Sequence, residues 1–152
     1  MPFHEVCGPG RERGKLGPGV FLERIHPGRG KQRLIRLTFT SRTAGEYFLI
    51  VRDLRYAGSA DHHYRLMTST GKPSAASSPN LTEVEPNDTP KLAQTVTLPA
   101  TIESQLTSPI ATVPDKDHFR FTATKGQVIL MEVFAARQGS RLDGVLAVLN
   151  KD

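Results

Sequence analysis

The sequence predicts an all-β protein built from short, antiparallel strands. Its 13 glycines and 11 prolines in 152 residues break the chain too often for long helices. Apolar residues alternate with polar ones, as in Ile35, Leu37 and Phe39 against Arg36 and Thr38. That is the period of a strand with one buried face. The two halves of the chain also echo each other. Phe39-Thr40 precedes Gly45, an apolar run and Gly58; Phe121-Thr122 precedes Gly126, an apolar run and Gly139. Two hairpin-like units of one antiparallel architecture account for the echo without helices.

Residues 1–32 are dense in Gly, Pro and Arg ("CGPGRERGKLGPG") and read as irregular, with one apolar island at 20–25. Gly14-Lys15 does not form a phosphate loop, because Leu16 stands where that loop needs Ser or Thr. Strands are then expected from Leu34 to Phe39, over the β-branched and aromatic run "EYFLIVRDL" at 46–54, and around 64–67. Residues 71–82, small, polar and proline-punctuated, read as a linker. "KLAQTV" at 91–96 suits a single helical turn, and further strands are expected at 95–98, 100–106, 119–124, 128–135 and 145–149. In "HFRFTA" the alternation places Phe119 and Phe121 inward, with His118 and Arg120 toward solvent.

The net charge of +5 is unevenly distributed. Residues 1–72 carry 13 Lys/Arg against 6 Asp/Glu, and residues 73–152 carry 7 against 9. A basic half can meet a polyanion. Its arginines are nevertheless scattered through turns and strands, without stacking aromatics between them, and nucleic acid is not favoured. The single cysteine, Cys7, precludes an internal disulfide. No apolar run reaches the about 18 residues of a membrane span, and the N-terminus lacks the apolar core of a signal peptide. The expectation is a cytoplasmic protein or an internal piece of a longer secreted one.

The segment "EVEPNDTP" gathers three carboxylates and an amide within six residues, Glu83, Glu85, Asn87 and Asp88, where Pro86 and Pro90 keep the chain extended. In an extended chain Glu83, Glu85 and Asn87 project to one side, and Asp88 joins them if the chain turns there. A hard cation such as Ca²⁺ takes about six to eight oxygen ligands. A second oxygen-rich cluster, Asp115-Lys116-Asp117, precedes the "HFRF" strand and could complete such a set. A solvated acidic linker, with Asn-Asp capping a short helix, is the competing reading of the same residues.

"EVEPNDTPKLAQTVTLPATIESQL", followed by "PDKDHFRFTATKGQVILMEVFAARQGSRLDGVLAVLNKD", resembles the first part of a bacterial pre-peptidase C-terminal (PPC) domain. The marks are the E-P-N-D opening, the D-x-D-x-F-x-F strand, the K-G-Q turn and the L-D strand, in that order over residues 83–152. Residues 33–67, with an F-T-x-x-x-x-G-x-Y unit and a closing Tyr-Arg-Leu strand, resemble the second half of the same family. The chain is thus expected to hold the end of one such domain (33–70), a linker (71–82) and the start of the next (83–152). Residues 1–32 resemble nothing in the family.

The resemblance implies a β-sandwich of jelly-roll type, incomplete in each piece, in an extracellular or periplasmic protein. It implies a non-catalytic accessory module that serves targeting, adhesion or spacing. Its partners would be the neighbouring domains and an extracellular protein or polysaccharide. In calcium-binding members the acidic opening and the aspartates before the F-x-F strand hold the ion, which carries over to Glu83, Glu85, Asn87, Asp88, Asp115 and Asp117.

No catalytic constellation is legible. His62 and His63 are adjacent on the chain and would face opposite ways on a strand, so a surface turn is the expectation for them. No G-x-S-x-G elbow occurs. Two other readings stand beside the calcium-stabilised module. One is a basic β-domain that binds a polyanion, and the other is a truncated fragment whose halves pair as a makeshift sandwich.

Overall fold

The computed structural model describes residues 34–71, 78–107, 114–135 and 139–151, together with the backbone of 12–15 and 20–24. The described residues form strands and turns, with no helix among them. The strands are β1 (Glu12–Lys15), β2 (Val20–Arg24), β3 (Leu34–Thr40), β4 (Gly45–Asp53), β5 (His63–Thr70) and β6 (Asn80–Thr82). They continue with β7 (Gln94–Thr95), β8 (Thr101–Gln105), β9 (Asp117–Ala123), β10 (Val128–Phe134) and β11 (Gly144–Asn150).

Two sheets share one core and make a β-sandwich. One sheet has the order β1-β2-β11-β4-β9-β7, and the other β3-β10-β5-β8-β6. From β3 to β5 and from β8 to β11 each successive strand crosses to the opposite sheet, the habit of a jelly roll. The sheets are mixed rather than purely antiparallel. Two short edge strands run parallel to their neighbours, β6 beside β8 and β7 beside β9.

The predicted alternation is clearest in β3. Ile35, Leu37 and Phe39 are buried, while Arg36, Thr38 and Thr40 are exposed. Across the sandwich, Tyr47 of β4 meets Phe39 edge-on at 5.0 Å and stacks on Phe121 of β9 at 5.8 Å. Such pairs add to the burial that drives the sheets together. The Tyr47 hydroxyl, taken into this core, donates to the carbonyl of Thr43 at 2.8 Å, so its burial leaves no unpaired polar group.

The echo in the sequence has a different structural meaning from two hairpins. β3 and β4 lie in different sheets, as do β9 and β10, so each unit is a corner between layers. The two corners pair with each other: β3 with β10, and β4 with β9, both antiparallel. Their loops are bonded where they meet. The Ser41 amide donates to Gln127 O at 3.0 Å, and the Gly126 amide donates to Ser41 O at 2.8 Å. Gly126 sits at φ +79°, a conformation that favours glycine.

β4 lies between β11 and β9, and β10 between β3 and β5. Strands from 33–70 and from 83–152 are therefore interleaved in both sheets. Three local expectations are corrected. Within the segment expected to be irregular, β1 and β2 pair antiparallel and β2 extends the sheet from β11. The end of the expected linker forms β6, because its backbone groups find partners on β8; residues 72–77 lie outside the described set. The expected helical turn at 91–96 is instead a tight turn, with Leu92 N donating to Thr89 O at 3.0 Å, that leads into β7. One turn of helix with no face to bury is outcompeted by pairing to β9.

Candidate metal centre

The acidic segment is held in place by the ends of three strands. Its first residue continues the β6–β8 pairing, with Glu83 N donating to Glu103 O at 3.1 Å. Farther along, His118 N of β9 donates to Asn87 O at 3.1 Å. The segment therefore bridges the two sheets at one end of the sandwich, and its side chains turn toward Asp117.

Glu83, Glu85 and Asp117 each place a carboxylate oxygen within 4.8 Å of the other two. Glu83 accepts from Asn87 Nδ2 at 2.7 Å through one oxygen and from Gln105 N through the other, which competes with Asp117 Oδ2 for the single Ser104 hydroxyl hydrogen. Glu85 accepts from Asn87 N at 2.8 Å. Asp117, completely buried, accepts through Oδ2 from Tyr64 OH and from Ser104 Oγ. Asp115, also buried, accepts through Oδ2 from Thr107 N. Asp88 is half-buried beside them, and its charge acts on both Glu85 and Asp115.

Three oxygens in this group are buried with no hydrogen-bond partner: Asn87 Oδ1, Asp115 Oδ1 and Asp117 Oδ1. A buried, unpaired polar atom costs about 1–3 kcal/mol, and more when it is charged. Asp117 belongs to the carboxylate group, Asn87 is bonded to Glu83 of that group, and Asp115 feels the charges of Glu85, Asp88 and Glu83, so one explanation can serve all three. No described lysine or arginine is bonded to these oxygens; the ion pairs Arg36–Glu132, Arg65–Glu103 and Lys151–Glu46 lie elsewhere.

The electrostatics follow from this geometry. Burial raises Asp117 to about 10, reinforced by the neighbouring charge of Glu83. Burial also raises Asp115 to about 7, with Glu85 adding to it. Glu85, exposed at the edge of the group, is raised by partial desolvation, with Glu83 and Asp88 contributing. Tyr64 is pushed well up by burial and by the Asp117 carboxylate. Without a cation, the pocket holds protons that free carboxyls would release.

The donor set is all oxygen. The nearby imidazole of His118 is buried, and its Nδ1 lies 3.1 Å from Asn87 O and 3.0 Å from Lys116 O. Between two carbonyls that nitrogen carries the hydrogen and donates, and neither ring nitrogen joins the ligand atoms of Glu83, Glu85 and Asp117. Burial lowers the His118 pKa. Carboxylate and amide oxygens without sulfur or imidazole suit a hard cation of the calcium type rather than zinc. The orphaned oxygens are the fit: each lacks the partner that an ion would provide.

Of the six expected ligands, Glu83, Glu85 and Asp117 are brought together and Asn87 is bonded to Glu83; Asp115 and Asp88 stand outside that group of three and are linked to it through their charges. Tyr64 and Ser104, which orient Asp117, were not singled out from the sequence. A signal existed for Ser104, which shares the buried phase of β8 with Ile102 and is itself a polar residue at an apolar position. The expectation of exposure for His118 is wrong, because the bridging segment covers it. His62 is likewise buried rather than on a surface turn, with Nδ1 2.8 Å from Ser59 Oγ. Cys7 lies outside the described residues.

No protein-family model matches the chain, and no curated protein matches it in sequence. Among solved structures it is similar to the isomalto-dextranase of Arthrobacter globiformis T6 in complex with panose, at 13% identity and a TM-score of 0.40. That similarity covers 88% of this chain and 21% of the enzyme's, so the chain spans about a fifth of the length of the protein it matches.

Proposed function

We propose that this chain is a non-catalytic β-sandwich module of PPC type, stabilised by calcium, that works as an accessory part of a larger secreted protein. The carrying observation is the trio of buried, unpartnered oxygens on Asn87, Asp115 and Asp117 beside the Glu83–Glu85–Asp117 cluster. A divalent cation there would draw on Glu83, Glu85, Asn87, Asp115 and Asp117, with Asp88 adding charge. It would satisfy the orphaned oxygens and offset the repulsion between carboxylates.

The consequence is mechanical. The 83–88 segment follows the stretch that joins the two sets of interleaved strands. Without an ion the carboxylates must either hold protons or repel one another, which loosens the segment's hold on β9; an ion removes that conflict and clips the segment between β8 and β9. Because only the folded chain assembles these ligands, ion binding adds directly to folding stability. A stiffened strand scaffold suits targeting, adhesion or spacing better than chemistry.

Thermal unfolding in chelator and in millimolar Ca²⁺ tests the reading. At a concentration one hundred times the dissociation constant, the gain is about 2.7 kcal/mol, or a rise of about 5–10 °C for a chain of this size. Magnesium, which demands a tighter octahedral shell, is expected to do less. An unchanged transition in calcium would sink the proposal.

A further inference from the structure

The turn after β4 presents an aromatic side chain to solvent with cations gathered on it. Tyr56 is 47% exposed and is the one aromatic among the large exposed apolar residues of the described set. Its backbone adopts φ +57°, the left-handed region that a bulky residue seldom occupies. Asp53 fixes the turn: Oδ1 accepts from Arg55 N at 2.8 Å and Ala57 N at 3.1 Å, and Oδ2 accepts from Asp143 N at 2.9 Å. The ring is therefore held out on a rigid support.

Arg52 lays its guanidinium over this ring at 4.6 Å, and the Lys116 ammonium lies 5.9 Å from the ring centre. The strand register explains the convergence. Val51 pairs with Asp117, both buried, so the adjoining Arg52 and Lys116 emerge together on the other side of the sheet. Arg55 adds a third cation on the same exposed turn. None of the three has a carboxylate partner among the described residues, whereas Arg36, Arg65 and Lys151 are each paired. Arg52 spends one donor on Asp53 O at 3.1 Å and keeps the rest of its fork.

We propose that Tyr56, Arg52 and Lys116 form a docking platform for an acidic polysaccharide, one bearing carboxylate or sulfate groups along the chain. A guanidinium already laid flat on a ring loses little freedom when it takes up an anion, and its planar fork matches such groups in paired hydrogen bonds. The tyrosine edge and hydroxyl then meet the sugar between charges. A single ring favours a glycan over single-stranded nucleic acid, which is bound by successive stacking rings along a basic groove. Lys116 stands between Asp115 and Asp117, so the platform adjoins the metal centre and retention is measured both in chelator and in millimolar Ca²⁺.

Retention on immobilised heparin and on immobilised polygalacturonate tests this, with the two matrices separating sulfate from carboxylate recognition. The double variant Arg52→Gln, Lys116→Gln is expected to bind at least one matrix about tenfold more weakly than wild type. The charge-matched control Arg36→Gln, Arg65→Gln is expected to retain wild-type binding to within about twofold. Tyr56→Gly, which suits the left-handed backbone and so stays folded, is expected to lose binding alongside the double variant. Three results would each overturn the platform: no retention of wild type on either matrix, equal losses in the control, or tighter binding to single-stranded DNA than to both polysaccharides.

Discussion

Replacing Asp117 by asparagine separates the charge of this residue from its shape. The amide keeps an oxygen to accept from Tyr64 OH and Ser104 Oγ, and its new N–H groups face the Glu83 and Glu85 carboxylates grouped with it. In the metal-free chain Asp117 is raised to about 10 by burial and by Glu83, whereas an unfolded aspartate ionises near pKa 3.9. At pH 7 the folded chain must therefore hold a proton that the unfolded chain has released. About three units at about 1.4 kcal/mol each give about 4 kcal/mol. The amide accepts more weakly than a carboxylate from Tyr64 OH and Ser104 Oγ, which takes back part of this and leaves about 2–4 kcal/mol. In chelator at pH 7, Asp117→Asn is thus expected to be more stable than wild type, by about 5–15 °C in the melting midpoint. In millimolar calcium the order reverses, because wild type gains an ion that the variant binds poorly. Urea unfolding in both conditions measures each arm. A variant destabilised in chelator, with its calcium increment intact, would refute the reasoning.

Other outcomes follow from the same geometry. Asp115 and Asp117 have folded pKa values above their unfolded ones, to about 7 and about 10. Their contribution is therefore fullest below about pH 4 and is lost as pH rises through 7 and beyond. Metal-free stability should fall over that range, and saturating calcium should flatten the fall, as pH-dependent urea midpoints would reveal. Tyr64→Phe removes a buried donor to Asp117; it should cost about 1–2 kcal/mol in chemical denaturation and weaken calcium uptake in a titration. Phe121→Ala opens the centre of the core, where Phe121 is 1% exposed and stacks on Tyr47; about 3–5 kcal/mol should be lost, with or without calcium.

How much the sequence disclosed depends on the range of the interaction. Alternation is a local property, and Ile35, Leu37 and Phe39 announced their strand faithfully. The same period shows which side of a strand is apolar but not which sheet it joins. The two corners therefore looked like hairpins until the pairing of β3 with β10 was visible. Edge strands are the least legible, since β6 and β7 have two or three residues each and exist only because β8 and β9 offer partners. At the site, Glu83, Glu85 and Asn87 could be grouped from spacing along an extended chain. Tyr64 and Ser104 reach Asp117 from β5 and β8, and no local pattern joins residues so far apart. His118 was misjudged for the same reason. Its strand position faces away from Phe119, but a segment thirty-one residues earlier covers it.

Direct calcium uptake by chelator-stripped protein, followed by titration calorimetry at pH 7, tests the central claim most closely. Saturable binding with release of protons, abolished in a chain carrying both Glu83→Gln and Asp117→Asn, is the expected result. No uptake, or uptake undiminished in that double variant, would contradict it.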